Sequence, residues 1–237
     1  MSLKKYLKGT FKRTNGSRIF LVFALMALVV LFLSSFLKDD KRNSARNTKY
    51  LFSAPSQSDI RAGDKKARII VLEYFDLECP SCRAYDEKGE RFFLNKYKED
   101  SVGFTYRHMP LEYLHPHALV KAQVFECAIL QQPAQYKTIM SLLYTTPFTS
   151  TSSLVRRIEA SAGDIDAESL EECIAEDRTK EAMLTALRIG YGQGVSMTPT
   201  FVVYKDGIER ARIKGSALRQ LDSSIEILLK ELKRDNE

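Results

Sequence analysis

Residues 69–82 read Ile-Ile-Val-Leu-Glu-Tyr-Phe-Asp-Leu-Glu-Cys-Pro-Ser-Cys, and this stretch decides the fold. Its apolar first half, ending at Phe75, favours a central β-strand, and the residues from 81 to about 97 predict a helix. Cys79 then lies at the helix N-terminus, where free backbone N–H groups and the helix dipole stabilise a thiolate. Cys82, one turn further on, is shielded and placed to attack a mixed disulfide. The local pattern therefore favours dithiol–disulfide exchange.

Two other interpretations of the same cysteines remain open. One is a plain structural disulfide. The other is a zinc site, which requires two further ligands. The chain offers three histidines close together in sequence, His108, His115 and His117.

The net charge of +6 has a local origin, because the first eighteen residues contain six Lys and Arg residues and no acid. The remainder is nearly neutral, so the charge gives no argument for nucleic-acid binding. Residues 19–37 form an apolar run without a charged residue. As a helix this run would be about 28 Å long, close to the ~30 Å core of a bilayer. We predict a transmembrane anchor; the alternative is a cleaved signal peptide, whose apolar region is normally about 7–15 residues long.

The charge distribution also predicts the orientation of the chain. Residues 1–18 form a basic tail that should stay in the cytoplasm, so the bulk of the chain is exported. The polar residues 38–66 indicate a linker. We predict that the globular domain spans residues 67–237. An exported domain with four cysteines fits an oxidising, extracytoplasmic compartment.

The patterns after the first helix predict an α/β domain. A second strand spans 102–108, the region 116–191 is helical throughout, and a hairpin spans 200–213. An amphipathic helix over 218–232 follows. The order is therefore β-α-β, a helical block, and β-β-α.

This order, with Cys-x-x-Cys after the first strand, resembles a thioredoxin fold, and the inserted block resembles that of DsbA-type thiol:disulfide oxidoreductases. The resemblance covers roughly residues 67–233. The matching segments are Glu73-Tyr74-Phe75, Cys79-Pro80-Ser81-Cys82, residues 107–118 and Val195-Ser196-Met197-Thr198-Pro199-Thr200.

The resemblance implies that Cys79 and Cys82 are the redox pair and that Pro199 is the family's cis-proline. Because proline has no N–H, Pro199 does not compete with a substrate for the Cys79 thiolate. Thr198 is expected to pair with an extended substrate segment through its backbone.

Within the redox motif, Pro80 and Ser81 are expected to contact the substrate. Ser81 stands where strongly oxidising relatives often carry histidine, so we expect a less extreme oxidant. Asp76 and Glu78 precede Cys79, and their charges are expected to oppose its ionisation.

Three further residues complete the candidate site and scaffold. Glu73 is a carboxylate on an apolar strand, and burial would raise its pKa and allow it to relay a proton for Cys82; an exposed or edge position is the alternative. The family resemblance implies a structural disulfide between Cys127 and Cys173, with two buried free thiols as the alternative.

The leading hypothesis is a membrane-tethered oxidase that donates the Cys79–Cys82 disulfide to exported proteins with cysteine thiols. Such an enzyme needs a membrane redox partner to reoxidise it, and it contacts the bilayer through residues 19–37. The sequence implies no cofactor, metal or nucleic acid. The alternatives are a disulfide reductase or isomerase, and a non-catalytic thioredoxin-like binding module.

Overall fold

A computed structural model of the chain describes Met26, Pro55 and residues 62–235. The chain divides into two units, Met1–Asn47 and Thr48–Glu237, and the fold below is that of the second. The predicted basic tail, most of the linker and, apart from Met26, the predicted span over 19–37 lie outside the described residues. Within the described residues, no helix combines the length and apolarity that crossing a membrane requires.

The described part of the second unit is built around a five-stranded sheet with the order β1-β3-β2-β4-β5. Central strand β2 pairs in parallel with β3 and antiparallel with β4, and its residues are all buried. Burial on both faces explains its nearly continuous apolar sequence. The sheet begins upstream of residue 67, where the sequence predicts the domain to start, because β1 pairs with β3. The strands are β1 (Ala62–Gly63), β2 (Ile69–Phe75), β3 (Val102–His108), β4 (Thr200–Lys205) and β5 (Ile208–Lys214).

The predicted α/β order with an inserted helical block is confirmed. The helix expected after β2 consists of α1 (Pro80–Ala84), a π-helical turn (Tyr85–Gly89) and α2 (Glu90–Lys96). Nothing in the sequence pattern indicated the π-helical turn. The remaining helices are α3 (Ala118–Gln131), α4 (Tyr136–Thr145), α5 (Thr151–Ser161), α6 (Ala167–Ala175), α7 (Lys180–Gly192) and α8 (Leu218–Asp235).

The two faces of β2 pack against different layers, because successive side chains in a strand alternate. Ile69 and Val71 share a core with α2 and α8. Leu72 and Tyr74 pack on the other side, in a core that includes Val195. Because alternate residues share a face, Glu73 lies on the face of Ile69 and Val71. The sheet therefore carries this carboxyl group toward the helix that follows the Cys-x-x-Cys.

The helical block has its own core, and a disulfide crosses it. Cys127 of α3 and Cys173 of α6 are bonded, with an S–S distance of 2.02 Å. Both residues are buried in the core that also contains Val124, Leu154 and Leu170.

Replacing both Cys127 and Cys173 by alanine is expected to lower the free energy of unfolding by about 2–5 kcal/mol. The bond joins residues 46 positions apart, so its loss enlarges the conformational freedom of the unfolded chain. Guanidinium unfolding followed by circular dichroism, with Cys79 and Cys82 in the same redox state in both proteins, measures the difference. A decrease in the free energy of unfolding below about 1 kcal/mol would show that the bond does not stabilise the fold appreciably.

Candidate active site

The end of β2 and the start of α1 position the two motif cysteines. Cys79 is the N-cap of α1 with an extended backbone, and Pro80 occupies the first helical turn. Proline suits this position because its missing N–H would have no helical partner there. Both cysteines are free thiols in this structure. Cys79 is 6% exposed and Cys82 is fully buried, so a substrate reaches Cys79 first.

The surroundings of the two sulfurs are electrostatically different. The pKa of Cys79 is lowered to about 6, first by a hydrogen bond from the Cys82 thiol and further by Thr198 and the backbone N–H groups of Cys82 and Ser81, against the opposing effect of burial. The pKa of Cys82 is raised well above its ordinary value, first by burial and then by its hydrogen bond to Cys79 and the nearby Glu73. At neutral pH the arrangement therefore favours a thiolate at Cys79 and a thiol at Cys82.

The turn before β4 meets the turn after β2, because β2 and β4 are neighbours in the sheet. Cys79 Sγ lies 3.4 Å from the carbonyl oxygen of Thr198, and the Thr198–Pro199 peptide bond is cis. The Thr198 hydroxyl is buried without a hydrogen-bond partner in this geometry. Thr198 nevertheless lowers the pKa of Cys79 through its side chain, so this hydroxyl lies close enough to stabilise the thiolate.

The two residues between the cysteines are at the surface. Pro80 and Ser81 are exposed, whereas the cysteines on either side are buried. Ser81 acts on Cys79 through its backbone N–H. A partner that reaches Cys79 thus meets Pro80 and Ser81 as part of the same surface.

Glu73 is buried, with 4% of its surface exposed, and its Oε1 atom has no hydrogen-bond partner. Burial is the largest cause that raises its pKa well above the ordinary value; Asp86 and Cys79 raise it further, and Lys137 opposes them. The edge or exposed alternative for Glu73 is wrong, because β2 is central. A carboxyl group near Cys82 can give it a proton when protonated and take one from it when ionised.

Asp76 and Glu78 play a different part from the one expected. The Asp76 carboxylate accepts hydrogen bonds from the backbone N–H groups of Glu78 and Leu111, at 2.8 and 2.9 Å, and lies 2.8 Å from His115 Nδ1. The pKa of Cys79 is lowered all the same, so the hydrogen bonds that stabilise its thiolate outweigh any opposition from these two acids. Asp76 instead ties the redox turn to the segment after β3.

Each of the three histidines lies beside a carboxylate. His115 contacts Asp76, His117 Nδ1 lies 3.6 Å from Glu78, and His108 Nε2 lies 3.0 Å from Glu126, in an arrangement too poorly aligned for a hydrogen bond. Among the described residues, no three His, Cys, Asp or Glu side chains are grouped to hold a metal ion.

Sequence reasoning missed a second group of charges close to Glu73. Lys137 of α4 donates hydrogen bonds to Asp86 and Glu90, which lie one turn apart after α1. The Tyr106 hydroxyl donates to Glu90, and Ser141 Oγ donates to Asp86 at 2.8 Å. Two carboxylates four residues apart were the only local signal, and their lysine is about fifty positions further along the chain.

A cysteine at the N-terminus of a helix, lying against a cis-proline turn of the same mixed sheet, defines the class of thioredoxin-fold dithiol proteins. The family model described as thioredoxin matches residues 55–222. The chain belongs to this thioredoxin family.

Solved structures place the fold more closely, with the helical block of the DsbA type. DsbA2 of Pseudomonas aeruginosa is 25% identical and superimposes with a TM-score of 0.58 over 72% of this chain and 94% of its own. BdbD of Bacillus subtilis, in its oxidised form, is 18% identical with a TM-score of 0.63 over 75% and 97%. α-DsbA1 of Wolbachia pipientis is 20% identical with a TM-score of 0.64 over 77% and 96%.

The curated relatives are similar to this chain over only a small part of their own length. The Na⁺/H⁺ antiporter NhaA 3 of Salinispora tropica is 32% identical over 149 residues, which is 63% of this chain and 22% of the antiporter. NhaA 1 of Salinispora arenicola is 35% identical over 74 residues, or 31% of this chain and 11% of that protein. The chain therefore spans about a fifth or less of these relatives.

Proposed function

We propose that the chain is an extracytoplasmic thiol:disulfide oxidoreductase that donates a Cys79–Cys82 disulfide to folding exported proteins. The observation that carries this proposal is the contrast between the two sulfurs. Cys79 is 6% exposed and has a pKa of about 6, whereas Cys82 is fully buried and has a raised pKa. A structural disulfide needs no such contrast, whereas an exchange reaction uses it.

The reaction begins with the oxidised pair. A substrate thiolate attacks Cys79 Sγ, the Cys79–Cys82 bond breaks, and Cys82 leaves and takes up a proton. A second substrate thiolate then attacks the substrate sulfur of the mixed disulfide, and Cys79 leaves as a stable thiolate. The substrate has lost two electrons and gained a disulfide, and the enzyme holds one thiolate and one thiol. A redox partner at the membrane removes the two electrons to restore the disulfide.

The low pKa of Cys79 favours the direction of oxidation. A thiolate stabilised by hydrogen bonds makes the reduced enzyme more stable, so the disulfide gives up its bond readily. Ser81 supplies a backbone N–H but no cationic ring, which limits the effect compared with a histidine at this position. The low pKa of Cys79 thus favours an oxidase over the alternative of a reductase or isomerase.

The surface around Cys79 suggests how a substrate is held. The backbone of Thr198 precedes β4 and lies beside the sulfur, so an extended substrate segment can pair with it as an added strand. Exposed Pro80 and Ser81 complete the contact, and the missing N–H of Pro199 leaves the Cys79 thiolate to the substrate.

The proposed location combines the sequence with one structural feature. The basic tail and the apolar run over 19–37 favour a single-pass anchor with a cytoplasmic N-terminus. The Cys127–Cys173 disulfide supports an oxidising compartment, since such bonds persist there. A membrane-bound redox partner would share the same bilayer.

The proposal predicts that the oxidised full-length chain, in mild detergent, transfers one disulfide per chain to a reduced, unfolded protein. Recovery of the substrate's activity and mass analysis of alkylated thiols measure the transfer. Cys79→Ala should abolish transfer and form no mixed disulfide, because the attacked sulfur is gone. The reduced Cys82→Ala chain, mixed with a disulfide-bonded protein, should accumulate a mixed disulfide at Cys79, because Cys82 is absent to resolve it.

Two outcomes would reject the proposal. An oxidised chain that keeps its disulfide in the presence of the unfolded thiols would support a non-catalytic binding module. Rapid reduction of insulin by the reduced chain, without any oxidation of unfolded substrate, would support a reductase.

A further inference from the structure

The buried Glu73 carboxyl lies among groups that can change its charge. Its Oε1 atom is buried and makes no hydrogen bond, so this oxygen has no fixed partner. Its neighbour in register on β3 is Tyr106, whose side chain lies on the same face of the sheet. Tyr106 in turn donates its hydroxyl to Glu90. The surroundings of Glu73 are thus linked to the charges that follow α1.

Lys137 comes from the inserted helical block and is held by two carboxylates. Its ammonium donates to Asp86 and Glu90, whose side chains are 5% and 3% exposed, while its own side chain is 38% exposed. Ser141 fixes the second oxygen of Asp86. Lys137 also lines an open cleft of about 320 Å³, so its side chain reaches solvent while its ammonium rests on two buried carboxylates.

This arrangement places a lysine, paired with two carboxylates, near a buried acid whose pKa is raised. Neighbouring charges act strongly on one another in a protein interior, because little water screens them. A cation favours the ionised form of a nearby carboxyl group, and an anion favours the neutral form. Lys137 and Asp86 therefore act on Glu73 in opposite directions.

We propose that Lys137 is a positioning residue of the exchange reaction: held by Asp86 and Glu90, it sets the pH at which Glu73 and Cys82 exchange a proton. The inference rests on the proposed function. During oxidation of a substrate, Cys82 leaves as a thiolate and takes the Glu73 proton; during reoxidation, Glu73 takes it back. The inserted block would thereby tune chemistry that the thioredoxin core performs.

Other titratable groups surround Glu73, and each contributes to its charge state. They come from the helix after β2, from β3 and from α4, and Cys79 adds a further negative charge when it ionises. The groups are Cys82, Tyr85, Asp86, Tyr106, Lys137 and Tyr144. The tyrosines have raised pKa values, mainly through burial, and stay neutral. Near neutral pH the charge of Cys79 varies, because its pKa is about 6.

Difference infrared spectroscopy of the reduced full-length chain tests the proposal without relying on activity. The carbonyl stretch of protonated Glu73, assigned by its loss in Glu73→Gln, is followed against pH. Lys137→Met should raise the midpoint by about one pH unit, because a nearby cation is lost. Asp86→Asn should lower it, and Lys137→Arg should leave it near the wild-type value. The pH profile of disulfide transfer should move in the same directions.

Lys96→Met is a matched control. Lys96 also bridges two carboxylates, with its Nζ atom 2.6 Å from Asp222 and 2.8 Å from Glu226, and its side chain is 31% exposed. It is not among the groups that act on Glu73, so its loss should leave the midpoint unchanged.

An unchanged midpoint in Lys137→Met, or shifts of the same sign in Lys137→Met and Asp86→Asn, would overturn the inference. If Lys137→Met fails to fold, two other results still decide the inference. They are the lowered midpoint expected of Asp86→Asn and the unchanged midpoint expected of Lys137→Arg. Absence of disulfide transfer in the wild-type chain would instead reject the proposed function, whatever the infrared midpoints show.

Discussion

At pH 7, Cys79 of the reduced chain is expected to react with iodoacetamide about 100-fold faster than Cys82. The reagent attacks thiolates, and a pKa of about 6 leaves Cys79 mostly ionised at this pH. An ordinary cysteine thiol is only a few per cent ionised there, on the order of 1–3%. Cys82 is less ionised still, because burial and its neighbours raise its pKa.

Timed alkylation followed by peptide mass analysis measures both rates. The rate at Cys79 should fall as the pH drops through about 6, while Cys82 stays slow across the neutral range. The chain unfolded in guanidinium is the matched control, since the contrast between the cysteines should disappear there. Equal rates in the folded chain, or a Cys79 midpoint near that of a free thiol, would refute the assigned asymmetry.

The same pKa fixes the sign of a stability change. A group whose pKa is depressed by folding adds stability above its unfolded pKa, and this contribution is lost as the pH falls through the folded value. For Cys79 the window runs from its ordinary value near 9 down to about 6. The oxidised chain has no such thiolate, so the reduced chain should lose stability relative to it as the pH falls from 8 to 6.

Glu73→Gln is expected to slow the Cys82 step by about 100-fold, which is a typical contribution of a positioned general acid or base. Glutamine has the same shape and is neutral, like the protonated carboxyl it replaces, but it cannot transfer the proton. The thiolate of Cys79 depends mainly on Cys82, Thr198 and backbone N–H groups, so its pKa should change little.

The rate at which Cys82 resolves a mixed disulfide between Cys79 and a small peptide measures this effect, in acid-quenched samples analysed by mass. Glu226→Gln is a suitable control, because Glu226 binds the remote Lys96. A Glu73→Gln chain that resolves the mixed disulfide at the wild-type rate would exclude Glu73 from the proton transfer.

Much of the fold could be predicted because its signals are local. β2 is apolar apart from Glu73, and the cysteine spacing places Cys79 at a helix start whatever the rest of the chain does. Pro199 required more, since only the pairing of β2 with β4 brings its turn to the sulfur. There the resemblance to a known family supplied what the residues alone did not.

The charged cluster around Lys137 could not be predicted in this way. Asp86 and Glu90 lie on the buried side of a helix, and their partner arrives from the inserted block about fifty residues later. The role of Asp76 was missed for a related reason. Its charge was judged by closeness in sequence to Cys79, whereas its oxygens face Leu111 and His115.

The pH dependence of the reduction potential of the Cys79–Cys82 pair, measured against glutathione by alkylation and mass analysis, tests the redox assignment most directly. Above pH 6 or so, reduction should take up one proton, and the potential should fall by about 30 mV per pH unit; below it, two protons give about 59 mV. A change of slope near the Cys79 pKa of about 6 is the expected result. A slope of about 59 mV across the neutral range, or a disulfide that no glutathione mixture reduces, would contradict it.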